Sequence, residues 1–182
     1  MINRDMDIRE KSIVLIGFMG VGKTTVGQLL AQKLNRSLVD IDQVIESDFG
    51  MPTTEIFNKY GESTFRKYEK ETVISYCKQK WKIISVGGGA FLNEEVRKAC
   101  LSNCLVVYLD IPWEEWKKRL HMLIDSRPVL QGRTLDEIRK LFDERQKIYA
   151  AHHLKVTIDA KSAAEVADDI VDCLQSAWKI HP

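Results

Sequence analysis

Short, continuous apolar runs alternate with segments of helical periodicity along the whole chain. The runs at 12–17, 37–41, 82–86, 104–110 and 154–159 predict five strands. Ile13-Val14-Leu15-Ile16 shows no apolar–polar alternation, as expected of a parallel strand buried on both faces. The connections are long enough to hold helices, so the strands should form a parallel sheet covered on both sides, with ligands gathering at its carboxyl edge. Val26, Leu29, Leu30 and Leu34 fall on one helical stripe; Ile138, Leu141, Phe142, Ile148 and Tyr149 form a second; Val166, Ile170, Val171 and Leu174 form a third. Pro112 suits a first helical turn, and Thr134-x-x-Glu137 and Ser162-x-x-Glu165 read as capping boxes. No repeat, low-complexity tract or linker interrupts the pattern, so residues 1–182 read as one α/β domain.

Composition narrows the partners. A chain of 182 residues can bury a proper core, and its formal net charge of +1 creates no global field for nucleic acid or anionic membrane. No apolar run is long enough to span a bilayer. Met1 to Lys11 is polar and mixed in charge, unlike a signal peptide, and reads as a frayed leader on a cytoplasmic, monomeric protein. Cys77, Cys100, Cys104 and Cys173 lack C-x-x-C spacing. They read as reduced thiols; Cys100 and Cys104 could share a helical face, but no histidine lies close in sequence to complete a metal set. His152-His153 reads as a polar loop rather than a ligand pair.

The chemistry begins at Gly17-Phe18-Met19-Gly20-Val21-Gly22-Lys23-Thr24, a G-x-x-x-x-G-K-[ST] loop between the first strand and the first helix. Its glycines let backbone N–H groups turn inward, and the helix N-terminus adds a positive dipole end. Lys23 should reach terminal phosphates, and the Thr24 hydroxyl should ligate Mg²⁺.

Three further features qualify that loop. The second strand ends in Asp40-Ile41-Asp42, whose carboxylates strand alternation would point to one side. One can hold metal-bound water while the other accepts a proton from an attacking hydroxyl; the plainer reading is a solvated turn or helix start. Ile83-Ile84-Ser85-Val86 runs into Gly87-Gly88-Gly89-Ala90, where missing side chains suit close backbone approach to a ligand or merely a flexible turn. Arg145 lies on the edge of an apolar helical stripe, Arg66 stands beside Phe65 and Glu69, and Arg127-Pro128 follows a loop that could fold over the site. Guanidinium groups bind carboxylate and phosphate bidentately, which suggests an acidic substrate and phosphoryl transfer.

Together, GFMGVGKTT, the DID pair, Phe57 followed by GESTFRKYE, SVGGGA, RPVL and the Arg145 helix resemble shikimate kinases from about Ile13 to Ile158. The resemblance implies a three-layer P-loop kinase fold with a five-stranded parallel sheet, a mobile substrate-binding segment at about 41–70 and a lid at about 121–134. It implies transfer of the ATP γ-phosphoryl group to the 3-hydroxyl of shikimate, in aromatic amino acid biosynthesis. Lys23, Asp42 and Arg127 would then be catalytic. Gly20, Val21, Gly22, Lys23, Thr24, Thr25, Arg119 and Arg127 would hold ATP, and Thr24 and Asp40 would hold Mg²⁺. Asp42, Phe57, Phe65, Arg66, Gly87, Gly88, Gly89 and Arg145 would bind shikimate, with Glu69 partnering Arg66. Asp110, at the end of a Walker-B-like strand, reads as structural, and Asp159-Ala160-Lys161-Ser162 lacks the Arg or Pro common near adenine in the family. The alternatives are a gluconate kinase-like enzyme and a non-catalytic nucleotide-binding regulator.

Overall fold

A computed structural model describes residues 7–180. Five strands form within the expected runs: β1 (Ile13–Ile16), β2 (Ser37–Asp40), β3 (Lys82–Ser85), β4 (Leu105–Asp110) and β5 (Leu154–Thr157). All pairings are parallel, in the order β2-β3-β1-β4-β5. Every residue of β1 is fully buried, which is why that strand carries no polar face. β1 and β3 lie side by side, yet β1 connects outward to β2 and β3 crosses back to β4. Crossovers leaving in opposite directions open a crevice at the carboxyl ends of the two central strands.

Helices α1 (Lys23–Leu34), α2 (Ile41–Phe49), α3 (Thr53–Tyr60), α4 (Glu62–Cys77) and α5 (Glu94–Asn103) fill the first crossovers. After β4 come α6 (Trp113–Lys117), α7 (Leu120–Leu123), α8 (Leu135–Tyr149) and, beyond β5, α9 (Ala163–Ile180). α1 lies close on the sheet because Gly27 has no side chain: a Cβ there would stand 2.9 Å from Leu38 and 3.3 Å from Leu15. Both expected capping boxes form. The Thr134 and Ser162 hydroxyls accept from the N–H groups of Glu137 and Glu165, whose carboxylates accept from the Thr134 and Ser162 N–H groups in return.

Three expectations change. Residues 1–6 of the leader lie outside the described residues, but 7–11 are tied to the body. Arg36 donates to the Lys11 and Arg9 carbonyls, and the Trp81 N–H donates to the Glu10 carbonyl at 3.1 Å. Strand β2 stops at Asp40, so Asp42 belongs to a helix. Cys104 sits just past α5 rather than on it, and the cluster gains Cys77 from α4, whose sulfur is 3.6 Å from that of Cys100. All three thiols are free and buried, and Cys173 is exposed. His152 and His153 bond the backbone of Tyr149 and Val106, which fixes the start of β5 against β4.

Candidate active site

The phosphate loop rests on aromatic rings. Phe18 packs edge-on against Trp116 and Phe142, with centroids 4.9 and 5.0 Å apart. The buried Trp116 indole N–H donates to the Met19 carbonyl at 2.7 Å, pinning the loop from below. Gly22 caps α1 at φ +98°, a left-handed conformation that glycine adopts freely, and a Cβ there would meet nothing within 4 Å. The loop therefore faces open space at the helix N-terminus, where an anion is favoured.

Lys23 is buried at 8 % exposure, its Nζ donating to the Gly17 and Phe18 carbonyls at 2.8 and 3.1 Å. Burial first, and Arg127 second, lower its pKa to about 8. The Thr24 hydroxyl donates to Asp40 at 2.5 Å. Asp40 also accepts from the Gln43 N–H at 3.1 Å, as the N-cap of α2. The expected strand alternation does not operate here. The cap turns the chain, and the first turn of α2 carries Asp42 back toward the loop. Burial, and then the neighbouring Asp40 carboxylate, raise the Asp42 pKa. Arg127 offsets part of this from 3.8 Å. Its own Nε is buried without a hydrogen-bond partner among the described residues.

The three glycines each touch a different part of the site. A Cβ on Gly87 would stand 3.1 Å from Glu69 and 3.2 Å from Asp42. On Gly88 it would stand 3.1 Å from the Met19 N, and on Gly89 2.6 Å from the Arg66 guanidinium. The run thus lets one backbone strip pass between the phosphate loop and the arginines. Arg66 donates to Glu69 at 2.8 Å, and its guanidinium lies 5.4 Å from the Phe65 ring and 5.8 Å from Phe57. Arg145, which its stripe places only at an edge, is 8 % exposed and donates to the Gly88 carbonyl at 2.7 Å.

A cavity of about 620 Å³ runs from Gly22, Lys23 and Thr24 past Asp42 to Gly88 and Arg127. It continues into a smaller recess beside Phe57, Phe65, Arg66 and Glu69. On the far side of the loop, a separate cavity of about 200 Å³ lies between Thr25, Arg119, Ile158 and Lys161. Arg119 donates there to the Gly20 and Val21 carbonyls at 3.1 and 3.2 Å. Val26, Ile158, Lys161, Ala163 and Val166 also line this cavity, and sequence reasoning gave none of them a role in the site. Asp110 accepts from the Tyr108 hydroxyl at 3.0 Å and lies 3.8 Å from Lys155, outside the main cavity.

A phosphate cradle, a carboxylate and the partly exposed Arg66 and Arg127 line the joined cavity and recess, with the buried Arg145 behind Gly88, an arrangement that suits nucleotide-dependent chemistry on an acidic acceptor. The sequence profile of the family described as shikimate kinase matches residues 19–175. The chain belongs to the shikimate kinase family. It is 55 % identical over 179 residues to the shikimate kinase of Bacillus subtilis (strain 168), covering 98 % of this chain and 96 % of that one. The shikimate kinase of Bacillus pumilus (strain SAFR-032) is 50 % identical over 181 residues, covering 99 % and 98 %. Among solved structures, shikimate kinase from Acinetobacter baumannii in complex with shikimate superposes with a TM-score of 0.86 at 32 % identity, covering 92 % and 94 % of the two chains. As in its family, the enzyme phosphorylates the 3-hydroxyl of shikimate with ATP; the five-stranded parallel sheet and flanking helices match the fold of its solved relative.

Within that site, Glu69 makes one consequence measurable. It is 2 % exposed, and burial outweighs Arg66 in raising its pKa from 4.5 to about 6. Between those pH values the folded chain binds more protons than the unfolded one, so this residue's contribution to stability is full below about 4.5 and is lost as pH rises through about 6. Relative to Glu69→Gln, the wild type should gain about 2 kcal/mol of unfolding free energy on going from pH 7 to 4.5. Urea melts at the two pH values check this, and a constant difference would contradict it.

Proposed function

We propose that the residues of this cavity divide the phosphorylation of shikimate into three tasks. The observation that carries the division is a single cavity with Lys23 and Thr24 at one end, Asp42 in the middle, and Arg66 in the adjoining recess. At the first end, Gly20, Val21, Gly22, Lys23, Thr24 and Thr25 hold the ATP phosphates, and the Arg119 cavity takes the base side of the nucleotide. Thr24 and Asp40 are hard oxygen donors in mutual contact, which fits Mg²⁺ held by few protein ligands with phosphate and water completing the shell. Bound there, the ion would neutralise charge on the β- and γ-phosphates.

In the middle, Asp42 orients the shikimate hydroxyl and accepts its proton. A raised pKa moves this carboxylate toward the working pH without removing its charge partners Lys23 and Arg127. Arg127 stands between the phosphates and the acceptor and meets the charge of the transferring group. At the far end, Arg66 and Arg145 bind the shikimate carboxylate, Phe57 and Phe65 wall the ring, and Gly87, Gly88 and Gly89 present backbone to its hydroxyls. Residues 41–70 form the acceptor-binding segment and 121–134 the lid of a single domain, working as a cytoplasmic monomer without a nucleic acid or membrane partner. Among the described residues no helix is long and apolar enough to cross a membrane.

The three arginines should separate kinetically. The shikimate carboxylate keeps its charge through the reaction, so Arg66→Ala and Arg145→Ala remove binding common to ground and transition states and should raise KM by about tenfold or more. Arg127→Ala should instead lower kcat, by about 10²-fold, with shikimate affinity of the nucleotide-free enzyme nearly intact. Calorimetric titration of shikimate, alongside steady-state rates, tests the division. Normal affinity in Arg66→Ala and Arg145→Ala, or abolished affinity in Arg127→Ala, would refute it.

A further inference from the structure

The Gly88 carbonyl, just beyond β3, accepts two hydrogen bonds at once. Arg145 Nη1 donates at 2.7 Å and the Tyr149 hydroxyl at 2.6 Å. Both donors come from α8, four residues apart and so one turn apart on one face. We propose that Tyr149 is a positioning residue of the acceptor site, its hydroxyl holding the Gly88 carbonyl while Arg145 exchanges that carbonyl for the substrate carboxylate. The inference rests on the reading of Arg145 given above.

The argument begins with what Arg145 lacks. It is a buried cation, yet among the described residues no carboxylate lies within ion-pair distance of it. Its strongest fixed contact is a neutral carbonyl. A guanidinium in that position holds charge available for an incoming anion. When Nη1 turns to that anion, the half-buried Gly88 carbonyl loses a donor at the cavity wall, where the bound acceptor limits water. Without a second donor the exchange would leave a half-buried acceptor unpaired behind the bound substrate, and affinity would fall by part of the cost of that group.

Tyr149 supplies the second donor. Its ring is 1 % exposed and packs on Tyr108 with centroids 5.5 Å apart, so the hydroxyl has little room to swing away. Burial pushes its pKa up to about 12, so it remains a donor throughout the working range. The strip that it holds has little slack elsewhere. A Cβ on Gly88 would already press on the Met19 backbone, and Met19 is itself bonded to Trp116. The hydroxyl therefore fixes the carbonyl at the point where the acceptor site abuts the phosphate loop.

The test is Tyr149→Phe, which keeps the ring and removes the hydroxyl. Shikimate Kd and KM should rise by about 3- to 10-fold, with kcat and ATP affinity within about twofold of wild type. In an Arg145→Ala background the same change should alter shikimate Kd by less than about twofold, because there is no exchange left to assist. Unchanged Kd in Tyr149→Phe, with only a lower unfolding midpoint, would show a purely structural hydroxyl and overturn the proposal. An equal fold-change in both backgrounds would show action independent of Arg145 and also overturn it. Normal Kd in Arg145→Ala itself would overturn the underlying carboxylate reading. Impaired Arg145→Ala beside normal Tyr149→Phe would overturn the Tyr149 role alone.

Discussion

Asp42→Asn should fold normally, bind both substrates, and lose about 10²–10⁴-fold in kcat. Asn keeps the shape of the side chain and its position in the first turn of α2. What it loses is the ability to take a proton and the charge that pairs Lys23 and Arg127. The change should not cost stability. Burial and the adjacent Asp40 carboxylate already disfavour the ionised form of Asp42, so a neutral isostere relieves both penalties while giving up the 3.8 Å pairing with Arg127. Single-turnover phosphoryl transfer and a thermal melt on one preparation separate the two effects. Near-normal kcat would refute the proton-accepting role, and an unfolded variant would refute the electrostatic account of the site.

Lys23→Ala should be nearly as damaging for a different reason. Lys23 is a cation held at the carboxyl edge of β1 by two carbonyls of its own loop. Phosphate oxygens would compete for that ammonium and raise its pKa from about 8 by supplying the negative charge that burial now withholds. Removing it deletes charge stabilisation that grows as the γ-phosphoryl group transfers, a loss of about 10²–10³-fold in kcat or more. ATP should bind more weakly as well, whereas shikimate affinity of the nucleotide-free enzyme should change little. Calorimetry with each substrate separately checks the asymmetry. Equal weakening of both would mean that Lys23 supports the cavity as a whole rather than its nucleotide end.

The parts of this site that are legible in the sequence are those whose cause is local. The P-loop is a contiguous motif flanked by the apolar run and helical stripe that it needs. The capping boxes are four-residue patterns, and both form. The Asp40-Ile41-Asp42 pair was legible as chemistry but not as geometry. Whether Asp40 continues the strand or caps a helix depends on a hydrogen bond to Gln43, and the same three residues satisfy either pattern. The helix-start reading holds, and it is compatible with the functional one.

What periodicity could not reveal is the partner of a residue far away in sequence. Arg145 sits at the edge of its stripe on any helical projection, and its burial is explained only by a carbonyl 57 residues earlier. Tyr149 and Trp116 score as apolar core, which they are, but their polar tips serve Gly88 and Met19. The triple glycine was legible as a strip with no room for side chains, expected beside a ligand. That Glu69, Asp42, Met19 and Arg66 are the protein groups crowding this strip is a tertiary fact. The Cys77 contact likewise depends on how the end of α4 meets α5.

The central claim is that one cavity couples the phosphate loop to an acidic acceptor, and ADP release with defined acceptors tests it most directly. With ATP and Mg²⁺ present, the account predicts rapid turnover on adding shikimate, little hydrolysis without acceptor, and no turnover on gluconate. Fast ADP release with no acceptor, or equal rates with gluconate, would contradict it.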